Sequence, residues 1–209
     1  MSSPSGKPTY RDAIAAPRVI KDERVLVALA RAGERAAFDE LVRRHADGLF
    51  AVVVRLCADG HEAEEVTQEA FLRAWRGLPG FHGDAQFFTW LYRIGVNEAS
   101  RRADSRRRRA DVVVVSLDEQ REQESPDRFV RPAERAEQSD LRRMLEAAIA
   151  ALPVDHRAAL VLRDVEGLST TQAAAVLGLR EAAFKSRLHR ARKLLRSGLA
   201  DYARQRGSL

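Results

Sequence analysis

A single cysteine, Cys57, stands in a chain of 209 residues. One thiol excludes an intrachain disulfide and most zinc sites, and its ordinary place is that of a small buried apolar residue. Long apolar runs are also missing. None approaches the roughly 20 residues needed to span a bilayer, and the N-terminal "MSSPSGKPTYRDAIAAP" has no apolar signal core. Direct membrane insertion is therefore not expected, and a reducing cytoplasm fits. His45, His61, His82, His156 and His189 are scattered, and "HEAEE" at residues 61–65 lacks the second histidine of a zinc protease helix. With no Gly-rich phosphate loop and no nucleophile elbow, the chain is expected to be no enzyme and to hold no metal or cofactor.

What the chain has is charge and helical periodicity. Charged residues make up 32% and hydrophobic residues 45%, with 7 prolines and 12 glycines, a composition of helix-rich globular protein. The net charge of +6 fits a polyanionic partner or simply a basic protein. From Asp22 to about Arg102 apolar residues recur at helical spacing, with Gly33, Gly48 and Gly60 as breaker positions. A second such region runs from about Asp140 to Ala203, and neither shows the alternation of strands. Between them the charge changes sign. "RRADSRRRR" at 101–109 carries six arginines against one aspartate, whereas residues 117–140 carry eight acids against four arginines. That acidic stretch, with Pro126 and Pro132, has little apolar surface to offset its ordering entropy. "VVVVS" at 112–116 is either a short anchor on one lobe or an extended segment bound to a partner.

In the second lobe, "EGLSTTQAAAVLGLREAAFKSRLHRARKLLRSGL" has the marks of a helix-turn-helix. Ser169 and Gln172 fit a capping box, Ala173, Ala174 and Ala175 leave room for a close crossing, and Gly178 suits a positive-φ turn. The next helix sets Phe184, Leu188, Ala191 and Leu195 on one face, with Ser186, His189, Arg190 and Lys193 opposite and Lys185, Arg187 and Arg192 on the flanks. Seven Lys/Arg against one Glu between Arg180 and Arg196 suit phosphate and guanine contacts.

The first lobe offers two different surfaces. On "EAEEVTQEAFLRAWRG", residues 62–77, Ala63, Val66, Ala70, Phe71 and Ala74 group inward, leaving Glu65, Gln68, Glu69, Leu72 and Arg76 opposite. An acidic face with an exposed leucine is no DNA surface and points to a protein partner. "FHGDAQFFTWLYR", residues 81–93, then gathers five of the thirteen aromatic residues. Phe87, Leu91 and Ile94 share one face of the following helix, with Trp90 at the rim, and Thr89, Arg93, Asn97 and Ser100 line the other. Asn97 could pair with an adenine edge, and Arg93 and Arg101 could take phosphates. Phe81 and His82 are placed to contact an unstacked base, the alternative for Phe81 being the core.

Those segments, followed by "LPVDHRAALVLRDVEGLSTTQAAAVLGL" and "KSRLHRARKLLR", closely resemble the extracytoplasmic-function, or group IV, sigma factors of bacterial RNA polymerase. The resemblance covers most of residues 22–199. It implies an all-α fold of two small helical domains joined by a flexible linker. These would be a leader at 1–21, sigma domain 2 at 22–104, a linker at 105–139, the helix-turn-helix sigma domain 4 at 140–204, and a tail at 205–209. It further implies that Glu65, Gln68, Glu69 and Leu72 bind the polymerase clamp. Phe81, His82, Asp84 and Gln86 would form the pocket for a flipped minus-10 base, beside Thr89, Arg93, Asn97 and Arg101. Arg180, Glu181, Lys185, Ser186, Arg187, His189 and Arg190 would read the minus-35 element. Core polymerase, promoter DNA and an anti-sigma factor are the implied partners. Arg180 stands where the family often has a serine or similar cap, and Glu181 could accept from cytosine. A free-standing helix-turn-helix regulator and a base-independent polymerase adaptor are the rival functions: tight promoter binding without polymerase marks the first, loss of base dependence the second.

Overall fold

Asp22, Asp59 and Ser169 each cap the start of a helix. In the computed structural model, described over residues 22–83, 85–113 and 132–206, Asp22 accepts from the Arg24 amide at 2.9 Å and starts α1, Glu23–Arg31. Gly33, at φ 97°, turns the chain into α2, Arg35–Val53. Asp59 caps α3, Gly60–Gly77, by accepting from the Glu62 amide at 2.8 Å. A 3-10 turn, Leu78–Gly80, leads into the loop before α4, Phe87–Val113. The second lobe holds α5, Pro132–Ala150, and α6, Val154–Leu160, which runs into a π-helical turn at Val161–Val165. It ends with α7, Thr170–Val176, and α8, Glu181–Arg206. Among the described residues there is no strand and no helix long and apolar enough to cross a membrane.

Gly48 and both ends of the linker depart from the expected pattern. Gly48 lies inside α2, because the Tyr92 hydroxyl of α4 rests against it: a Cβ there would sit 2.2 Å from the phenolic oxygen. Gly95 does the same from the other side, where a Cβ would come 2.8 Å from Leu49 Cδ1. Missing side chains thus let α2 and α4 cross closely. The arginine-rich 101–109 segment continues α4 as regular helix to Val113, and α5 starts at Pro132, a residue well suited to a first helical turn. The leader at 1–21, the centre of the linker at 114–131 and residues 207–209 lie outside the described residues.

The α3–α4 pair is held by a buried acid. Glu98 is 3% exposed and receives Arg101 at 2.5 Å, Arg73 of α3 at 3.1 Å and Arg102 at 3.4 Å. Arg102 reaches on to Glu65 at 2.6 Å and Arg73 to Glu69 at 2.7 Å, so five charged residues besides Glu98 join one network across the two helices. Burial alone would raise the Glu98 carboxyl, but the Arg101 hydrogen bond and the charges of Arg73 and Arg101 hold it below the usual carboxylate range.

The lobes also touch. Helix α4 packs on α6 and α7. The Arg93 guanidinium donates through Nε to the Ala175 carbonyl at 3.1 Å, with a second bond from Nη2. Arg55 of the first lobe lies 3.3 Å from Glu166 of the second.

Glu98→Gln is expected to destabilise the protein by about 1 to 3 kcal/mol at neutral pH. Because the folded carboxyl is lowered, the wild-type advantage should be full above the unfolded value, about 4.3, and vanish as pH falls through the folded one. Urea midpoints of both proteins across pH 3 to 7 would check this; a difference independent of pH would contradict it.

Candidate nucleic-acid interface

The helix-turn-helix forms from the residues that announce it. The Ser169 hydroxyl accepts from the Gln172 amide at 3.1 Å, and the Gln172 side chain accepts from the Ser169 amide at 3.0 Å. Gly178 adopts φ 64° between α7 and α8. Phe184, Leu188 and Ala191 are buried and Leu195 packs against the core, which leaves Arg180, Glu181, Lys185, Ser186, His189 and Arg190 exposed. Arg187 is half-buried, 3.8 Å from Asp155. Glu181, the first residue of α8, accepts from the Thr171 hydroxyl at 2.6 Å and lies 3.9 Å from Lys185 Nζ.

A basic group of α8 is tied at the surface to a partner that spacing could not reveal. Arg192 forks onto Asp164 at 2.8 and 2.6 Å. The two residues are 28 positions apart, so no local pattern relates them.

On α3 the inward set is the one the helical spacing predicts, Ala63, Val66, Ala70, Phe71 and Ala74. Glu65, Gln68 and Leu72 are exposed, Leu72 at 50%, and Glu69 is partly so. The acids are not free charges. The Arg102 hydrogen bond holds the Glu65 carboxyl below its ordinary range, and Arg73 covers Glu69. Leu72 is the large apolar residue of that face. Glu98, which anchors both arginines, was missed by reading helix faces one at a time. Its signal was its spacing three and four residues before Arg101 and Arg102.

The aromatic cluster mostly builds core. Phe81 is 8% exposed, its ring 4.9 Å from that of Trp90 and edge-on to Phe87 at 6.2 Å. Phe38 meets Phe71 and Trp75 nearby. In this arrangement Phe81 is therefore a core ring rather than an open base platform. Thr89, expected on the solvent face, is 4% exposed, since α4 is packed by α2, α3 and α7 rather than from one side. His82, Gln86, Arg93 and Asn97 are exposed, and Arg93 and Arg101 are engaged by the Ala175 carbonyl and Glu98 respectively. Asp84 lies outside the described residues.

Comparison with known proteins gives these surfaces a context. Residues 41–109 match sigma-70 region 2, and residues 142–195 match sigma-70 region 4. The RNA polymerase sigma-H factor of Pseudomonas aeruginosa is 35% identical, covering 88% of this chain and 97% of its own. The ECF RNA polymerase sigma-E factor of Escherichia coli K12 is 33% identical over 83% of this chain and 92% of its own. The sigma factor RpoE of Bartonella quintana, in a co-crystal structure with the anti-sigma factor NepR, is 25% identical, with a TM-score of 0.61 over 78% of this chain and 96% of that one.

Arg190 is exposed and Arg192 is paired with Asp164, so the two are expected to differ in task. Arg190→Ala should lower the slope of log affinity against log salt by about 1 if it contacts phosphate, with thermal stability unchanged. Arg192→Ala should do the reverse, reducing stability by up to about 1 kcal/mol with an unaltered slope. Filter binding across a salt series and a thermal melt of each variant would check the assignment.

Proposed function

Because this chain belongs to the extracytoplasmic-function sigma factors of the sigma-70 family, we propose a division of promoter recognition between its two lobes. The protein binds core RNA polymerase and promoter DNA and acts in transcription initiation; polymerase performs the chemistry. Sigma domain 2, at residues 22–104, carries the clamp-facing surface of Glu65, Gln68, Glu69 and Leu72. Its minus-10 surface consists of His82, Asp84 and Gln86, with Arg93, Asn97 and Arg101 on α4. Sigma domain 4, at residues 140–204, reads the minus-35 element through Arg180, Glu181, Lys185, Ser186, Arg187, His189 and Arg190.

The observation that carries this reading is the presence of two dissimilar exposed surfaces on one chain. A capped helix-turn-helix presents a basic second helix, while α3 presents Leu72 among acids that no DNA phosphate would approach. A free-standing DNA-binding regulator has no use for the second surface. Melting follows from selective binding: groups that hold unstacked bases favour the open strands, offsetting an unstacking cost of a few kcal/mol per base. In the arrangement described, Arg93 donates to the Ala175 carbonyl of the second lobe, so its transfer to a phosphate gives up that bond.

The Bartonella quintana relative is held by an anti-sigma factor, and a protein of that kind is the regulator proposed here. With no membrane-crossing helix among the described residues, the protein is proposed to work in the cytoplasm, where polymerase and promoter are.

Two variants test the division. Leu72→Glu places an unpaired charge in the clamp interface and should weaken core polymerase binding by about 2 kcal/mol or more, with native helix content; unchanged affinity in a titration would remove α3 from the interface. Asn97→Ala should reduce run-off yield on duplex promoters, and a template with a preformed bubble should recover part of the loss. Wild-type yield on duplex would return Asn97 to the solvated surface.

A further inference from the structure

A carboxylate at the tip of a DNA-reading helix needs an explanation, because phosphates repel it. Glu181 is the first residue of α8, and the N-terminal residues of a recognition helix are those that meet base edges. Its position is set from outside the helix. Thr171, on α7, donates its hydroxyl to Glu181 Oε1 at 2.6 Å, and Lys185, one turn on, lies 3.9 Å from Oε2. The hydroxyl fixes the carboxylate's direction across the turn, and the ammonium offsets its charge against the phosphates. An ionised carboxylate offers about four acceptor sites, and one hydrogen bond leaves the rest open.

We infer that Thr171 is a positioning residue that aims the Glu181 carboxylate at a cytosine in the upstream promoter element. The inference rests on the reading of α8 as the minus-35 helix and adds the base it selects. Among major-groove edges, cytosine presents only the N4 amino donor. Adenine sets the N7 acceptor beside its amino group, which repels a carboxylate, and guanine and thymine present acceptors. Glu181 therefore discriminates by repulsion as well as attraction.

The test uses the full chain with core polymerase on a double-stranded promoter library whose upstream element is randomised, read as run-off yield for each base at each position. The wild type should favour cytosine at one position by about tenfold. Glu181→Ala should level the four bases there and leave the other positions unchanged. Glu181→Gln should move the preference to adenine, whose N6 and N7 match an amide. Thr171→Val should reduce the cytosine preference severalfold, and Thr171→Ser, which keeps the hydroxyl, should retain it. A merely structural bond between α7 and α8 predicts something else: Thr171→Val and Glu181→Ala would lower yield on all sequences alike with the wild-type base profile intact, and that result overturns the inference. Circular dichroism checks folding; if Thr171→Val loses helix content, the glutamine variant decides, and a wild-type profile from it overturns the proposal. A wild-type protein with no base preference at any upstream position would defeat the minus-35 reading itself and this inference with it.

Discussion

A carboxylate almost wholly removed from water must be surrounded by donors or be neutralised, and Glu98 is surrounded by three arginines. Because Arg73 comes from α3 while Arg101 and Arg102 come from α4, the requirement to pair that one charge fixes how the two helices sit together. Those helices carry different surfaces of the first lobe. The network continues outward to Glu65 and Glu69, so the geometry of the side proposed to face polymerase is set from inside the lobe, by a residue that need not touch the partner.

The same pairing changes how the composition reads. A chain of net charge +6 and a segment as basic as residues 101–109 suggest a broad DNA surface. Yet Arg102 and Arg106 turn back to Glu65 and Glu62 of α3, and Arg192 is bound to Asp164. These guanidiniums join helices to one another. Arg107, Arg108 and Arg109 of α4 and Lys185 and Arg190 of α8 remain exposed.

Local features were legible in the sequence, and features made by crossing helices were not. The Ser169–Gln172 box, the turn at Gly178 and the inward face of α3 all depend on spacings within about one or two turns, and each is found in the structure. Thr89 defeats the same reasoning, because a helical wheel assumes one buried side and α4 has neighbours on several. Phe81 fails for a related reason: outside a helix, spacing gives no direction for a side chain, and only the positions of Phe87 and Trp90 determine that it turns inward. Gly48 reads as a break until Tyr92 is seen lying over it. The Arg192–Asp164 fork joins distant segments and leaves no trace in either one.

Arg93 reaches across to the second lobe for a backbone carbonyl rather than a side chain. The two ends of that contact therefore have unequal evolutionary freedom. Any residue that keeps α7 helical at position 175 still presents the same oxygen, so the acceptor is inherited with the fold and survives sequence drift. The donor is a single codon. Variation among descendants of this protein can tune this one contact only from the arginine side, and with Arg93 proposed to meet nucleic acid, changes in that contact and in DNA binding at the position would be selected together.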